Sequence, residues 1–170
     1  YSANGIQPLS IPVIKTEGNH TATSRVLIDY SKNWQMNHWR SLEAAYARTP
    51  YFLYYRDYFH PHFSVKTLTL SEFNGQLIAT VIKLLRLNIS ITDSNDYFHT
   101  DPNEDYRLLI HPKKEASASG ITIYPRYIQA FESKHNFLPN MSIIDLLFHE
   151  GPDAGPYLID MAEKNFNEKF

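Results

Sequence analysis

Residues 33–58, NWQMNHWRSLEAAYARTPYFLYYRDY, constrain this chain more than any other stretch, because they hold both tryptophans, a histidine and a run of tyrosines. At helical spacing Trp39, Leu42 and Tyr46 share one face, and Trp34, His38, Ser41 and Ala45 share the neighbouring one. Two wide aromatic faces cannot both stay in water, so this helix must be packed on by other elements. Ser31 or Asn33 is expected to cap it, Arg40 and Glu43 to form an i, i+3 surface pair, and Thr49-Pro50 to end or kink it. A second, short helix should follow, with Tyr51, Tyr54, Tyr55 and Tyr58 at i, i+3, i+4 and i+7, Arg56 and Asp57 lying beside the stripe.

What surrounds this centre is bounded by composition. A chain of 170 residues fits one domain with a real core, residues 1–170. Sixteen basic against 18 acidic residues leave a formal charge of −2, which argues against a nucleic-acid partner. The absence of cysteine removes disulfides, thiolate metal sites and cysteine nucleophiles, and a cytoplasmic location is the default. The longest apolar run, residues 77–87, is broken by Lys83 and Arg86, so no membrane span is expected. The opening YSANGIQPLSIPV lacks a leader pattern and an initiator methionine, and the natural chain is expected to start earlier.

Residues 7–14 read as an edge strand, given Pro8 and Pro12, and RVLIDY at 25–30 as a second strand. His60 and His62 flank Pro61, a spacing that would put both imidazoles on one side of an extended strand; two histidines without a third ligand do not make a metal site, and none is expected. Residues 71–87 should be a deeply buried helix capped by Ser71. Residues 88–92 alternate as a strand, the polar residues 93–105 form a loop, and a short strand or turn follows near Leu108. The small residues EASASG make a candidate mobile loop before order resumes near Ile121. A last helix begins at Ser142, with Asp145 three residues on as in a capping box, and stops at Gly151-Pro152; MAEKNFNEKF reads as a solvated terminal helix or tail. The expected fold is therefore α+β, a small mixed or antiparallel sheet from the segments near Gln7, Arg25, Asn88, Leu108 and Ile121, covered by three main helices. With only six glycines and no glycine-rich turn after a strand, a dinucleotide-binding sheet is rejected.

Several separated motifs occur in order: NW…HWRS at 33–41, TPYFLYY at 49–55, DYR…IHPK at 105–113, YIQAF at 127–131 and PNMSIIDLLFHEGPDA at 139–154. Together they resemble the WbqC-like proteins, over nearly the whole chain. Members of that family usually carry a further segment, with an aromatic-proline motif and a Tyr/Arg-rich strand, ahead of the position where this sequence begins. The resemblance implies a bacterial protein of surface polysaccharide, O-antigen type, biosynthesis, acting on an amino sugar.

Read by their own chemistry, the candidate groups divide. His38 is placed to act as a general base near neutral pH, or else to bond a carbonyl at the core edge. Arg40, Arg107 and Lys113 would grip a phosphate or carboxylate, or else pair with Glu43, Glu104 or Asp105. Trp34 and Tyr55 would offer ring faces to a sugar, or else pack, and Asn140 precedes a helix start whose free N–H groups favour an anion. His149 and Glu150 at a helix C-terminus are read as structural. The first functional expectation is acyl or aminoacyl transfer to an amino sugar or its nucleotide, with His38 deprotonating the amine and no cofactor assigned. Its rivals are a non-catalytic sugar-nucleotide binding or assembly protein and, with least support, a metal-dependent hydrolase using His60 and His62. If the three cations converge on an anion, Arg107→Lys should weaken a nucleotide sugar by about 1 to 3 kcal/mol in calorimetric titration with unchanged folding; a fallen unfolding midpoint with unchanged affinity identifies a structural ion pair instead.

Overall fold

In the computed structural model, which describes residues 1–94 and 120–167, the aromatic stretch forms two consecutive helices, α1 (Trp34–Tyr46) and α2 (Phe52–Ser64). They are followed by α3 (Leu70–Leu85), α4 (Glu132–His135), α5 (Ile143–Glu150) and α6 (Ala154–Asn167). More helices than the three expected therefore carry the α+β fold.

Neither expected cap of α1 works as one. Asn33 stands at the cap position without a side-chain bond, and the chain is turned into the helix by Asp29, whose Oδ1 accepts from the Ser31 N–H at 2.8 Å. The other end closes as the sequence suggests: the Thr49 hydroxyl donates to the Tyr46 carbonyl at 2.8 Å, and Pro50 follows. The expected Arg40–Glu43 pair is replaced, because Glu43 lies 3.9 Å from Arg56 on α2. Helix α2 runs through Pro61 to Ser64, which corrects the extended reading of His60 and His62. Residues two apart on a helix point to nearly opposite sides. His60 packs edge-on to Trp39 at 4.9 Å, while His62 Nε2 meets the Thr80 hydroxyl at 2.9 Å. Burial of Phe59 and the contacts of Phe63 with Trp39 and Phe73 hold the last turn despite the proline's missing donor.

Helix α3 starts one residue earlier than expected, at Leu70, and its cap is Thr69 rather than Ser71. Thr69 Oγ1 accepts from the Glu72 N–H at 3.1 Å, and Glu72 reaches back to the Leu68 N–H at 3.2 Å, a reciprocal arrangement that Ser71 cannot make from inside the first turn. The helix ends on Arg86 in the left-handed region, φ 56°.

Only four residues form a strand ladder among those described. β1 (Val13–Ile14) and β2 (Leu27–Ile28) are antiparallel, with Val13 opposite Ile28 and Ile14 opposite Leu27. The far edge of β2 is met by the residues entering α3, where Leu70 N–H donates to the Val26 carbonyl at 2.9 Å. Pro8 and Pro12 withhold donors from the first segment, and a 3-10 turn at Thr23–Arg25 takes the start of the second. The segments near Asn88 and Ile121 are not strands. Near Ile121 the backbone is paired instead by a side chain: Asn165 Oδ1 accepts from the N–H groups of Thr122 and Ile123 at 2.8 and 2.9 Å, and its Nδ2 donates to the Ile123 carbonyl at 2.9 Å. The segment near Leu108 lies outside the described residues.

The main core joins Trp39, Leu42 and Tyr46 of α1, Phe52 and Phe59 of α2, Leu84 and Leu85 of α3, and Leu146, Leu147 and Phe148 of α5. A second cluster of Ile28, Trp34 and Phe73 ties the strand pair to α1 and α3, and Phe63 and Leu77 pack against both. Helix α6 begins earlier than the terminal stretch read from sequence and is packed at both ends, since Ala154 is fully buried and Asn165 is 5% exposed. A Cβ on Gly155 would collide with the Leu85 carbonyl oxygen where α6 crosses the end of α3. No described helix is long and apolar enough to cross a membrane.

Trp34 is 4% and Trp39 8% exposed, so neither opens onto a cleft. Trp34→Ala and Trp39→Ala should then each lower stability by about 3 to 5 kcal/mol in denaturant unfolding. A markedly smaller loss for Trp34 would mean that its cluster is loosely packed. Gly155→Ala should cost about 1 to 3 kcal/mol by the same measurement, because the atom it meets is backbone and cannot swing aside.

Candidate functional site

The sequence IIDLLFHE places a carboxylate and an imidazole, Asp145 and His149, a turn apart on a helix whose other residues before Glu150 are apolar. Leu146, Leu147 and Phe148 draw α5 into the core and carry Asp145 with them, to complete burial. The capping box expected at Ser142 does not form: the Ser142 side chain makes no cap bond, and the Asp145 carboxylate turns inward to a polar group brought by the YIQAF segment. Tyr127 Oη donates to Asp145 Oδ2 at 2.6 Å, and Gln129 Nε2 lies 3.3 Å from the same oxygen. Gln129 also fixes the approach to α5, exchanging bonds with the Leu138 carbonyl and N–H at 2.9 and 2.8 Å.

His149 completes the group and its tautomer follows from geometry. Nε2 lies 2.8 Å from the Ala130 N–H, which can only donate, so Nε2 accepts; Nδ1 then carries the proton and gives it to the Asp145 backbone carbonyl at 2.7 Å. The ring in this arrangement is neutral, and it is not a cationic partner for the carboxylate 3.8 Å away. Asp145 Oδ1 has no close hydrogen-bond partner. Tyr46 stands at the end of α1, and its hydroxyl oxygen accepts from the Tyr1 amino nitrogen at 3.2 Å. Burial first, then the charge and hydrogen bonding of Asp145, hold the Tyr46 pKa well above the ordinary 10.0, and Tyr127 is raised by the same causes.

Three depressions surround the start of α5. A mixed one of about 250 Å³ is lined by Tyr1, Gln7, Ser41, Tyr46 and Ser142 together with apolar residues such as Leu9 and Ala45. An apolar one of about 400 Å³ lies between α2 and α3, with Phe59, Phe63, Leu77 and Val81 in its walls. The two share Leu42, Ser142 and Ile144. A smaller depression of about 130 Å³ is lined by Tyr124, Tyr127, Asn140 and Tyr157.

The sequence-derived candidates are distributed differently. Trp34 and His38 come together, ring centroids 5.1 Å apart, and His38 also faces Phe63 at 6.3 Å. His38 is 7% exposed; burial lowers its pKa, opposed by a hydrogen bond with the Ser10 backbone. Arg40 is exposed on α1 and makes no ion pair among the described residues. Tyr55 is half-buried against the main core, near Arg86. Asn140 is exposed, with φ 55°, at the small depression. Asp105, Arg107 and Lys113 lie outside the described residues. Trp34, His38, Arg40 and Tyr55 line none of the three depressions. Among the described residues no three His, Asp or Glu side chains gather as a metal site would require.

Sequence reading missed the Asp145 group. Its signal was present as two polar residues four apart inside an apolar helix, positions where a solvated pair would interrupt the buried face.

The model of the WbqC-like protein family matches residues 1–122, and the chain belongs to that family. It is also 25% identical to an uncharacterized protein of Mycobacterium tuberculosis, Rv1507c, over 92% of this chain and 78% of that protein. No solved structure matches it significantly.

Tyr46 yields a pH prediction. Its folded pKa is raised, so its contribution to stability is intact below 10.0 and is lost as pH climbs from there, when the unfolded chain releases a proton that the folded chain keeps. The loss should run at about 1.4 kcal/mol per pH unit. Tyr46→Phe should flatten the alkaline fall of the unfolding free energy by that slope; an unchanged slope would show that Tyr46 titrates normally.

Proposed function

We propose that this protein transfers an acyl or aminoacyl group to an amino sugar or its nucleotide in surface polysaccharide biosynthesis, on the cytoplasmic side where activated sugars are made. The observation that carries this reading is the junction, across a wall of Leu42, Ser142 and Ile144, of an apolar depression with one that presents Gln7, Ser41 and Tyr46 beside its apolar residues. A transfer between a hydrophobic donor group and a polar acceptor needs two such surfaces meeting at the reacting atoms. Membership of the WbqC-like family agrees with it.

In this reading the amine attacks the carbonyl carbon of the activated acyl donor, the new C–N bond forms as the bond to the donor's leaving group breaks and that group departs, and His38 is the base that takes the proton the amine loses. It stands one turn before Leu42 on α1, with its edge toward Phe63, which lines the apolar side. Its lowered pKa keeps it in the basic form at neutral pH, so the acid limb of the rate profile falls below the ordinary 6.5. Arg40, with Arg107 and Lys113 of the DYR…IHPK motif, holds the phosphate or carboxylate, and Asp105 orients Arg107. Trp34 fixes the His38 ring; Tyr55 and Asn140 meet the sugar from the periphery.

The rival, a non-catalytic sugar-nucleotide binding or assembly protein of the same pathway, predicts binding without turnover. The purified protein should be given nucleotide amino sugars with activated acyl donors, product formation being followed by mass spectrometry beside calorimetric titration. Binding alone supports the rival, and neither binding nor turnover removes both. His38→Gln should lower turnover by about 10² to 10⁴-fold while nucleotide-sugar affinity holds. An unchanged rate with a lower unfolding midpoint would make His38 a packing residue.

A further inference from the structure

The smallest of the three depressions is the one that keeps polar groups uncommitted. Two of its tyrosines are taken at the tip, Tyr127 donating to the Asp145 carboxylate and Tyr157 to the Pro125 carbonyl, so they offer only ring surface. Tyr124 and Asn140 differ, since among the described residues neither the Tyr124 hydroxyl nor the Asn140 amide bonds anything. Between them they supply an O–H that gives or accepts, a carbonyl that accepts and an NH₂ that donates.

The aromatic walls meet at steep angles. Tyr127 crosses Phe137 at 89° and Tyr157 at 87°, each at 5.6 Å, and lies 50° from the plane of His149. A flat nucleobase is gripped between parallel ring faces, and no described ring lies parallel to Tyr127. A puckered sugar ring suits such a corner, with C–H groups against an aromatic face and hydroxyls at its edge toward an amide and a phenol. No Asp, Glu, Lys, Arg or His lines the depression, and Arg126, which lies over Phe137, is paired with Glu132. A neutral ligand therefore fits better than a phosphate.

Place and size narrow the ligand further. Met141 is shared with the mixed depression and Ile143 with the apolar one, so all three meet along residues 141–144. Its volume of about 130 Å³ is well below the roughly 300 Å³ at which pockets for drug-sized ligands begin, which leaves room for one ring and not for a disaccharide.

We infer that the small depression is a subsite for a single neutral pyranose ring, packed on its aromatic walls and bonded by the Tyr124 hydroxyl and the Asn140 amide. The inference rests on the transfer reading above and names where the ring of the acceptor sugar sits; the phosphate and the reacting amine are held elsewhere.

The test is titration of the whole protein with glucose, N-acetylglucosamine, uridine and inorganic phosphate, followed by NMR shifts of the residues around Tyr124 and Asn140. Both sugars should move these signals with a Kd on the order of 1 to 10 mM, and uridine and phosphate should not. Tyr124→Phe keeps the ring and removes the hydroxyl; Asn140→Gly removes the amide at a φ of 55° that glycine adopts freely, so both variants should fold. Each should weaken the sugars by about threefold to tenfold with an unchanged unfolding midpoint. Uridine moving these signals as strongly as glucose, sugar shifts confined to other residues, or sugar binding indifferent to both variants overturns the inference. Sugar binding here without turnover on any acyl donor would leave the subsite standing and sink the transfer reading. Turnover with an unchanged KM for the sugar in both variants would do the reverse.

Discussion

The packing of Phe148 is what the rest of the molecule depends on. Its ring, fully buried, lies 5.2 Å from both Tyr46 and Phe52 and 5.7 Å from Phe59, so α1, α2 and α5 are referred to one side chain. Edge-to-face rings interlock in few orientations, and a cluster of them fixes helix positions more sharply than aliphatic packing of equal area. The Phe148 carbonyl adds a direct tie by accepting from the Tyr51 N–H at 3.1 Å at the entry to α2. Because Phe148 precedes His149 and follows Asp145 by three, whatever seats the ring also seats the polar group beside it.

That coupling explains why polar side chains are tolerated at the centre. Asp145 loses its water on folding, a cost recovered in part by Tyr127 and Gln129 and by its place in the first turn of α5, where backbone N–H groups favour negative charge. The same residues that satisfy it also hold the irregular chain before α5. Tyr127 packs on Phe137 and Tyr157, and Gln129 bonds residue 138 from both sides. A segment with little regular structure is thus given a defined course by a buried acid.

Helices were legible in the sequence where apolar spacing was long, and their contents were read correctly at Trp39, Leu42 and Tyr46, whereas α3 is less deeply buried than its two apolar rows suggested, with Phe73, Leu84 and Leu85 buried and Ile78 48% exposed. Their ends were less so, because a cap is decided by which neighbour reaches the free N–H: Thr69 wins over Ser71 by standing outside the turn, and Asp145 is called away from Ser142 by groups 16 and 18 residues earlier. Strands failed for a related reason. β propensity at Asn88 and Ile121 has meaning only with a partner, and no spacing rule announces that an asparagine near the end of the chain will stand in for one. The candidate site was read from residue types on the aromatic stretch, and the burial of Trp34 and His38 was not visible there, since helical spacing shows which residues share a face and not how closely the next element covers it.

The bond between Asn165 and residues 122–123 spans 42 and 43 positions, and it belongs to assembly as much as to the finished fold. Closing so long a loop carries an entropic toll that no local contact repays in advance, so this clasp forms after the helical core has brought its ends near. Tyr124 and Tyr127 lie just beyond the clasp on the same chain, and Tyr157 and Met161 lie on the helix that supplies it. One wall of the small depression is therefore among the last surfaces to be set, and the first to be released when the end of α6 loosens.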